Sequence, residues 1–215
     1  MGGLSEAIAE FVVDSKWDDI PPIVRAHATR CVFNGFGTAL GGSADPAISR
    51  MLAALTPFSG AAAATVIGHR DRLDAPTAAF INAAATNVHD FADSHDGTIS
   101  HPTAPVMPAA LALAETMSLS GADVLHAFIL GVEVTCRLGN AISPGHYARG
   151  FHITSTCGIY GAAMAAAKLL KLGKAETLNA LGIASSQSSG LVETLGYMAK
   201  SAGVGAAARN GLLAA

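Results

Sequence analysis

Charged residues are scarce in this chain. Only 13% of its 215 residues are Asp, Glu, Lys or Arg, and the net charge is −3, whereas an average soluble domain has about 25% charged residues. No block of Lys and Arg occurs, which argues against a nucleic acid as a partner because phosphate binding needs clustered cations. Apolar residues make up 51% of the chain, and its mean hydropathy is +0.41. We therefore expect a large buried interface between copies of the chain, and so a homodimer.

Long uninterrupted apolar runs are also missing. Charged residues cut the alanine-rich segments at Glu115, Glu133, Lys168 and Glu176, so none reaches the ~20 apolar residues of a spanning helix. The opening stretch MGGLSEAIAEFVVDSKWDD has acidic residues where a signal peptide needs positive charge followed by an apolar run. The sequence therefore predicts no membrane span and a cytoplasmic location.

Cysteine is rare and unpatterned. The chain has only Cys31, Cys136 and Cys157, an odd number without CxxC spacing. This pattern indicates neither a disulfide framework nor a zinc site. We expect three buried thiols.

Alternating runs of β-branched residues are few, and segments rich in Ala and Leu lie between Gly and Pro instead. The sequence predicts an all-α fold and a single helical domain over residues 1–215. Asp45, Asp74 and Ser120 have the short polar side chains that cap helix starts. Residues 64–68 are predicted to form an isolated extended segment. The predicted helices cover about residues 4–14, 22–40, 46–56, 75–93, 104–117, 121–138, 155–171, 175–189 and 204–215.

The richest polar stretch runs from Asn87 to Pro102 and contains three of the eight histidines. If residues 75–93 are helical, Asp90 and Ser94 stack one turn apart, and His89 and Asp93 stack on the adjoining face. Carboxylates beside imidazoles can act as acids and bases, because neighbouring charges shift the histidine pKa across neutrality. Two other interpretations stay open here: a metal site, although no compact ligand spacing such as HExxH occurs, and a solvated loop with helix caps.

Two further segments are weaker candidates. Residues 145–158 place small hydroxyl residues before an Ala-rich helix, whose N-terminus could hold a carboxylate. The alternative there is an ordinary Ser/Thr cap with His152 on the surface. Residues 197–205 place Lys200 in a small-residue loop, and no GxxxxGK[ST] phosphate loop is present.

Taken in order, these segments resemble the MmgE/PrpD family, which includes 2-methylcitrate dehydratase and cis-aconitate decarboxylase. The resemblance extends over nearly the whole chain, and several ordered matches are much harder to obtain by chance than one. The matching stretches are DIPPIV at 19–24, NGFGTALGG at 34–42, AAFIN at 78–82, HDFADSH at 89–95, HPTAPVMPAALALAE at 101–115, GFH at 150–152, TCG at 156–158 and LGIASSQSSG at 181–190.

The resemblance implies an all-helical large domain, a smaller α/β lid domain inserted later in the chain, a homodimer and an active site between domain and lid. It implies a lyase of the 2-methylcitrate dehydratase type, acting on a small polycarboxylate by acid–base catalysis without a metal ion or other cofactor. We expect His101 to transfer a proton to carbon, and His152 to bind carboxylate and assist as an acid. Carried across, the catalytic residues are Asp90, Ser94, His101, His152 and Lys200, and the substrate-binding residues are Asp93, His95 and Thr156.

Departures from the family pattern are also present. Ala92 stands where the family's DfDD motif has an Asp, and the family's His after Lys200 is missing from Gly203-Val204-Gly205. The family is about twice as long, its lid is absent here, and the chain ends in ARNGLLAA, which is typical of an interrupted helix. An epimerase or a cis-aconitate decarboxylase-like enzyme of the same family is therefore an alternative. Another is a dimeric helical domain that is catalytically incomplete.

Overall fold

The computed structural model describes residues 3–117 and 119–215, and most of these are helical. This confirms the predicted all-α fold. Short 3₁₀ helices lie at Trp17–Asp19, Thr56–Phe58 and Val192–Thr194. The α-helices of the described part are α1 Leu4–Asp14, α2 Pro22–Gly42, α3 Pro46–Leu55, α4 Ala75–Asn87, α5 Thr103–Ala114, α6 Gly121–Ile142, α7 Gly145–Ala148, α8 Ile153–Leu169, α9 Lys174–Gln187 and α10 Met198–Ala214. None of them combines the length and apolar character that crossing a bilayer requires.

The predicted helix starts at Asp45, Asp74 and Ser120 are confirmed. The Asp45 and Asp74 carboxylates accept hydrogen bonds of 2.7 and 2.9 Å from backbone N–H groups in the first turns of α3 and α4. Ser120 Oγ accepts one of 3.2 Å in the first turn of α6. Each cap satisfies an N–H group that has no partner within its own helix.

The segment at 64–68 is extended at its start, as predicted, but the prediction that it is isolated was wrong. Its first residues form strand β1, Ala64–Thr65, which pairs antiparallel with strand β2, Arg72–Leu73. Asn82 of α4 holds this hairpin, since its amide accepts from the Ile67 N–H at 2.8 Å and donates to the Thr65 carbonyl at 2.9 Å. The hairpin depends on a side chain distant in sequence, which the local pattern does not reveal.

Two predicted helix boundaries near the polar segments were wrong. Helix α4 ends at Asn87 rather than residue 93, because Asp90 takes a left-handed backbone conformation with φ of 56°, which Asp tolerates better than most residues. The predicted stacking of Asp90 with Ser94 on a helix therefore does not occur. Helix α10 begins at Met198 rather than residue 204, so Lys200 lies in its first turn and not in a loop.

Helix α8 is the centre of the molecule. Fifteen of its 17 residues are buried, and it packs against α5, α6, α9 and α10. Glycines allow these helices to approach closely. A Cβ atom added at Gly161 of α8 would lie 2.0 Å from Thr135 Oγ1 and 2.5 Å from the Gly131 carbonyl oxygen, both on α6. No other residue fits at this crossing without moving one helix.

Helix α8 also anchors the N-terminal helix. Lys168 Nζ donates three hydrogen bonds to backbone carbonyl groups at the C-terminal end of α1 and just after it. Their lengths are 2.9 Å to Val12, 3.1 Å to Val13 and 2.7 Å to Ser15. A cation at the C-terminus of a helix also interacts favourably with the helix dipole. The half-buried Lys168 therefore serves the fold rather than a site.

The cysteines are free thiols of low reactivity. Cys157 is buried as predicted, whereas Cys31 and Cys136 are only half-buried. The pKa of Cys136 is raised to about 12 and that of Cys157 to about 11, mainly because the thiols are buried. At neutral pH both are therefore thiols and not thiolates.

The close crossing of α6 and α8 predicts opposite effects for two helical glycines. Gly161→Ala adds a methyl group into space already filled by α6, so we expect the free energy of unfolding to fall by about 2–3 kcal/mol. In Gly182→Ala the new methyl on α9 meets nothing within 4 Å, so stability should rise by about 0.5–1 kcal/mol. Urea denaturation measures both, and equal effects would contradict the proposed close packing.

Candidate active site

The predicted site residues lie on four separate segments that meet at the starts of three helices. Asp90 is in the turn after α4, His101 lies two residues before α5, His152 is the N-cap of α8, and Lys200 is in the first turn of α10. Helix N-termini carry partial positive charge from N–H groups that lack helical partners. The meeting of α5, α8 and α10 therefore makes this region attractive to anions.

Asp90 and Lys200 form an ion pair. The Lys200 side chain is 8% exposed, whereas the Asp90 side chain is 58% exposed. A buried ammonium is costly unless a counter-charge satisfies it, and the left-handed turn at Asp90 provides that carboxylate. His101 Nε2 lies 3.9 Å from the same Asp90 oxygen, so Asp90 lies between the two basic groups.

The hydrogen bonds of His101 determine which of its ring nitrogens carries the proton. His101 Nδ1 lies 3.1 Å from the backbone carbonyl oxygen of Asp93 and 3.2 Å from Ser94 Oγ. Because a carbonyl only accepts, Nδ1 carries the hydrogen. In the neutral ring the lone pair is then on Nε2, the nitrogen that faces Asp90. Thr154 Oγ1 of α8 accepts from the His101 backbone N–H at 3.1 Å and ties this residue to α8.

His152 is buried, which contradicts the alternative that placed it on the surface. The pKa of His152 is lowered to about 4, mainly because the ring is buried. The positive charge of Lys200 lowers this pKa further. The imidazole is therefore neutral at pH 7 and cannot hold a carboxylate as a cation, although it can still form a hydrogen bond. Its Nδ1 lies 3.0 Å from Ser155 Oγ, and its backbone N–H donates to the Gly190 carbonyl at 3.1 Å.

The three residues predicted to bind substrate are all involved in internal contacts. Burial raises the pKa of Asp93, and the backbone carbonyl of this residue, rather than its carboxylate, contacts His101. His95 Nδ1 pairs with Thr98 Oγ1 at 2.9 Å within its own loop. Thr156 is 5% exposed, and its Oγ1 lies 2.8 Å from His146 Nε2 and donates to the His152 carbonyl at 3.2 Å. Asp93 and Thr156 thus contact His101 and His152, whereas the His95 side chain contacts its own loop.

Sequence reasoning missed Thr154 and Ser155, which hold the two histidines from the first turn of α8. A signal was available, because His152 and Ser155 are three residues apart, the spacing of neighbours on a helix. The signal was hidden because the helix was predicted to begin at residue 155 and not at Ile153. Among residues 3–117 and 119–215, no three His, Cys, Asp or Glu side chains are arranged to share a metal ion.

Comparison with known proteins gives a consistent result. A sequence model described as the MmgE/PrpD N-terminal domain matches residues 6–215. The chain is 33% identical to cis-aconitate decarboxylase of Aspergillus terreus, over 98% of this chain and 44% of that protein. It is 29% identical to the Mus musculus protein of the same name, over 97% of this chain and 44% of that protein. The Homo sapiens counterpart is 36% identical over 74% of this chain and 34% of that protein. The chain thus spans less than half the length of these relatives.

The neutral state of His152 predicts an acid-sensitive fold. Its pKa is lowered on folding from 6.5 to about 4, so between these values the unfolded chain binds a proton that the folded chain does not. His152 therefore does not lower the free energy of unfolding above pH about 6.5. As the pH falls from about 6.5 toward about 4, the free energy of unfolding decreases, and the loss is about 2–3 kcal/mol at pH 4.5. Urea unfolding of wild type and His152→Gln at pH 7 and 4.5 isolates this contribution. An equal pH dependence in both proteins would show that His152 is not held neutral.

Proposed function

The chain belongs to the MmgE/PrpD family, and from this membership we propose that it forms the helical part of a lyase that acts on a small polycarboxylate. We propose acid–base catalysis without a metal ion or other cofactor, by Asp90, Ser94, His101, His152 and Lys200. The names of the relatives favour decarboxylation of cis-aconitate or a close analogue. Dehydration of the 2-methylcitrate type and epimerisation are the other reactions to test.

The convergence of three helix N-termini and Lys200 around Asp90 and His101 is the observation that carries this proposal. A small polycarboxylate has two or three negative charges, and each helix N-terminus stabilises a nearby anion by about 0.3–1 kcal/mol. Lys200 can exchange its contact with Asp90 for one with a substrate carboxylate. This group of residues is thus suited to an anion, while His101 and Ser94 provide groups that move or share protons.

The chemistry assigns different tasks to these groups. In decarboxylation the bond between carbon and carboxylate breaks, CO₂ leaves, and the remaining electron pair must take up a proton on carbon. We assign that proton to His101 Nε2, because Nδ1 is held by the Asp93 carbonyl and Nε2 is the ring nitrogen that faces Asp90. In dehydration the same nitrogen would instead remove a proton from carbon, and Ser94 or His152 would assist the departing hydroxyl. Lys200 and the helix N-termini would steady the negative charge in either case.

Five exposed apolar side chains, here called the apolar rim, lie one to three residues from the site residues in sequence. Their exposed fractions are Phe91 77%, Ile99 64%, Phe151 40%, Tyr197 73% and Met198 46%. Exposed apolar patches commonly mark interfaces. The relatives continue beyond the region that this chain matches. We propose that this further region closes over the rim, as the family's lid does. A closed site excludes water and strengthens each electrostatic contact.

This proposal predicts low activity for the 215-residue chain alone. We expect turnover of cis-aconitate, 2-methylcitrate and iminodisuccinate near background, with weak binding of citrate. Supplying the C-terminal half of a relative, fused or in trans, should raise turnover of one substrate by orders of magnitude. In that active form His101→Gln should lower kcat by about 10²-fold or more, whereas His89→Gln, an exposed histidine nearby, should not. Robust turnover by the chain alone would contradict the need for closure.

We further propose that the chain forms a homodimer through the exposed face of α2. Phe33 is 81% and Leu40 is 60% exposed on this helix, and Gly37 and Gly41 leave open space between them. Small residues beside large apolar ones allow a second helix to approach closely. Such a face would account for the low charge and positive hydropathy of the chain.

The α2 face predicts which substitution separates the subunits. Sedimentation at micromolar concentration should show a dimer for wild type, and Phe33→Asp should shift it to monomer because a charge would be buried in the contact. Phe58→Asp is the matched control, since Phe58 is 87% exposed but lies outside α2. A monomeric wild-type chain would reject the dimer, and dissociation by both variants would reject this face.

A further inference from the structure

Ser155 and His152 form an isolated, buried pair at the start of α8. Ser155 is 0% exposed and His152 is 5% exposed, and Ser155 Oγ lies 3.0 Å from His152 Nδ1. Within the described residues, His152 Nδ1 is the one hydrogen-bond partner of this hydroxyl. The pair is separate from the contacts that hold His101.

The chemistry of the pair determines the position of the imidazole proton. If Nδ1 carried the hydrogen, it would donate to Ser155, and the serine's own hydrogen would be buried without an acceptor. Buried donors are very seldom left unpaired, because the loss of water is then not compensated. The satisfied arrangement has the Ser155 hydroxyl donating to Nδ1, which leaves the proton of the neutral ring on Nε2.

Two segments outside α8 pack against Ser155. A Cβ atom added at Gly190 would lie 2.7 Å from Ser155 Cβ, and one added at Gly203 of α10 would lie 3.3 Å from Ser155 Oγ. The same Gly190 accepts a hydrogen bond from the His152 backbone N–H at 3.1 Å. Gly190 therefore contacts both residues, and the His152 ring places Nδ1 against the Ser155 hydroxyl.

We propose that Ser155 is a positioning residue that holds His152 as the neutral tautomer with its proton on Nε2, so that His152 donates a hydrogen bond to the bound anion while His101 exchanges the proton. The two histidines would then have opposite tautomers. His101 donates through Nδ1 to the Asp93 carbonyl and presents a lone pair at Nε2, whereas His152 presents an N–H at Nε2. This division of tasks rests on the proposed lyase function, but the tautomers themselves do not.

Nuclear magnetic resonance of the ¹⁵N-histidine-labelled chain at pH 7 tests the tautomers directly. Long-range proton–nitrogen spectra distinguish a protonated ring nitrogen from an unprotonated one, and His152→Gln assigns the His152 signals by their loss. We expect Nε2 protonated and Nδ1 unprotonated in wild type. In Ser155→Ala we expect the Nδ1 shift to move toward the protonated value, because the hydroxyl donor is gone. Ser185→Ala removes a hydroxyl that donates to the Leu181 carbonyl of the same helix α9, and it should leave the His152 signals unchanged.

Several results would overturn the proposal. A wild-type His152 with its proton on Nδ1, or a fully protonated ring at pH 7, rejects it even if Ser155→Ala fails to fold. An unchanged His152 spectrum in a folded Ser155→Ala chain rejects the role of Ser155. In the active, completed enzyme we expect Ser155→Ala to lower kcat about tenfold or more with a smaller change in KM. Absence of turnover in any context would overturn the lyase function and leave the tautomer assignment standing.

Discussion

The close approach of helices around α8 is the constraint on which the rest of the structure depends. Gly161 and Gly131 bring α8 and α6 into backbone contact, and Gly211 of α10 similarly leaves room for Ile159 and Ala162 on another side of α8. Helices that pack at such short distances have little freedom to slide, because any larger side chain would collide with a neighbouring backbone. The beginnings of α8 and α10 are therefore held at fixed positions relative to each other. Those beginnings carry His152 and Lys200.

This scaffold accounts for the division of charge in the site. Lys200 is nearly buried and depends on Asp90 for its counter-charge, while Asp90 itself remains accessible. An anion can thus approach an ion pair that is already formed and compete with Asp90 for Lys200. His152 is neutral because the fold excludes water from it and places Lys200 nearby. The surroundings thus determine the protonation state of His152, and the Asp93 carbonyl determines the tautomer of His101.

Residues of α8, as well as the loop from Asp90 to His101, determine the geometry of the site. Thr154 holds the His101 backbone and Ser155 holds the His152 ring, from consecutive positions in one turn. A displacement of α8 would therefore move both imidazoles together. The loop between Asp90 and His101 contributes the reactive groups, and the helix determines their separation. We propose that the remaining length seen in the relatives completes the enclosure at the apolar rim.

The sequence by itself determined the helical class, the capped starts of α3, α4 and α6, and the set of residues that meet in the cluster. Helix periodicity, short polar caps and ordered motifs are local signals, so they survive without knowledge of the fold. Tertiary structure decided the rest. The turn after α4, which ends at Asn87, brings Asp90 to Lys200 of α10. The tautomers of His101 and His152 depend on Asp93 and Ser155, whose contacts with the two rings form only on folding. Protonation of His152 was likewise undetermined, because burial and distance to other charges are properties of packing and not of local sequence.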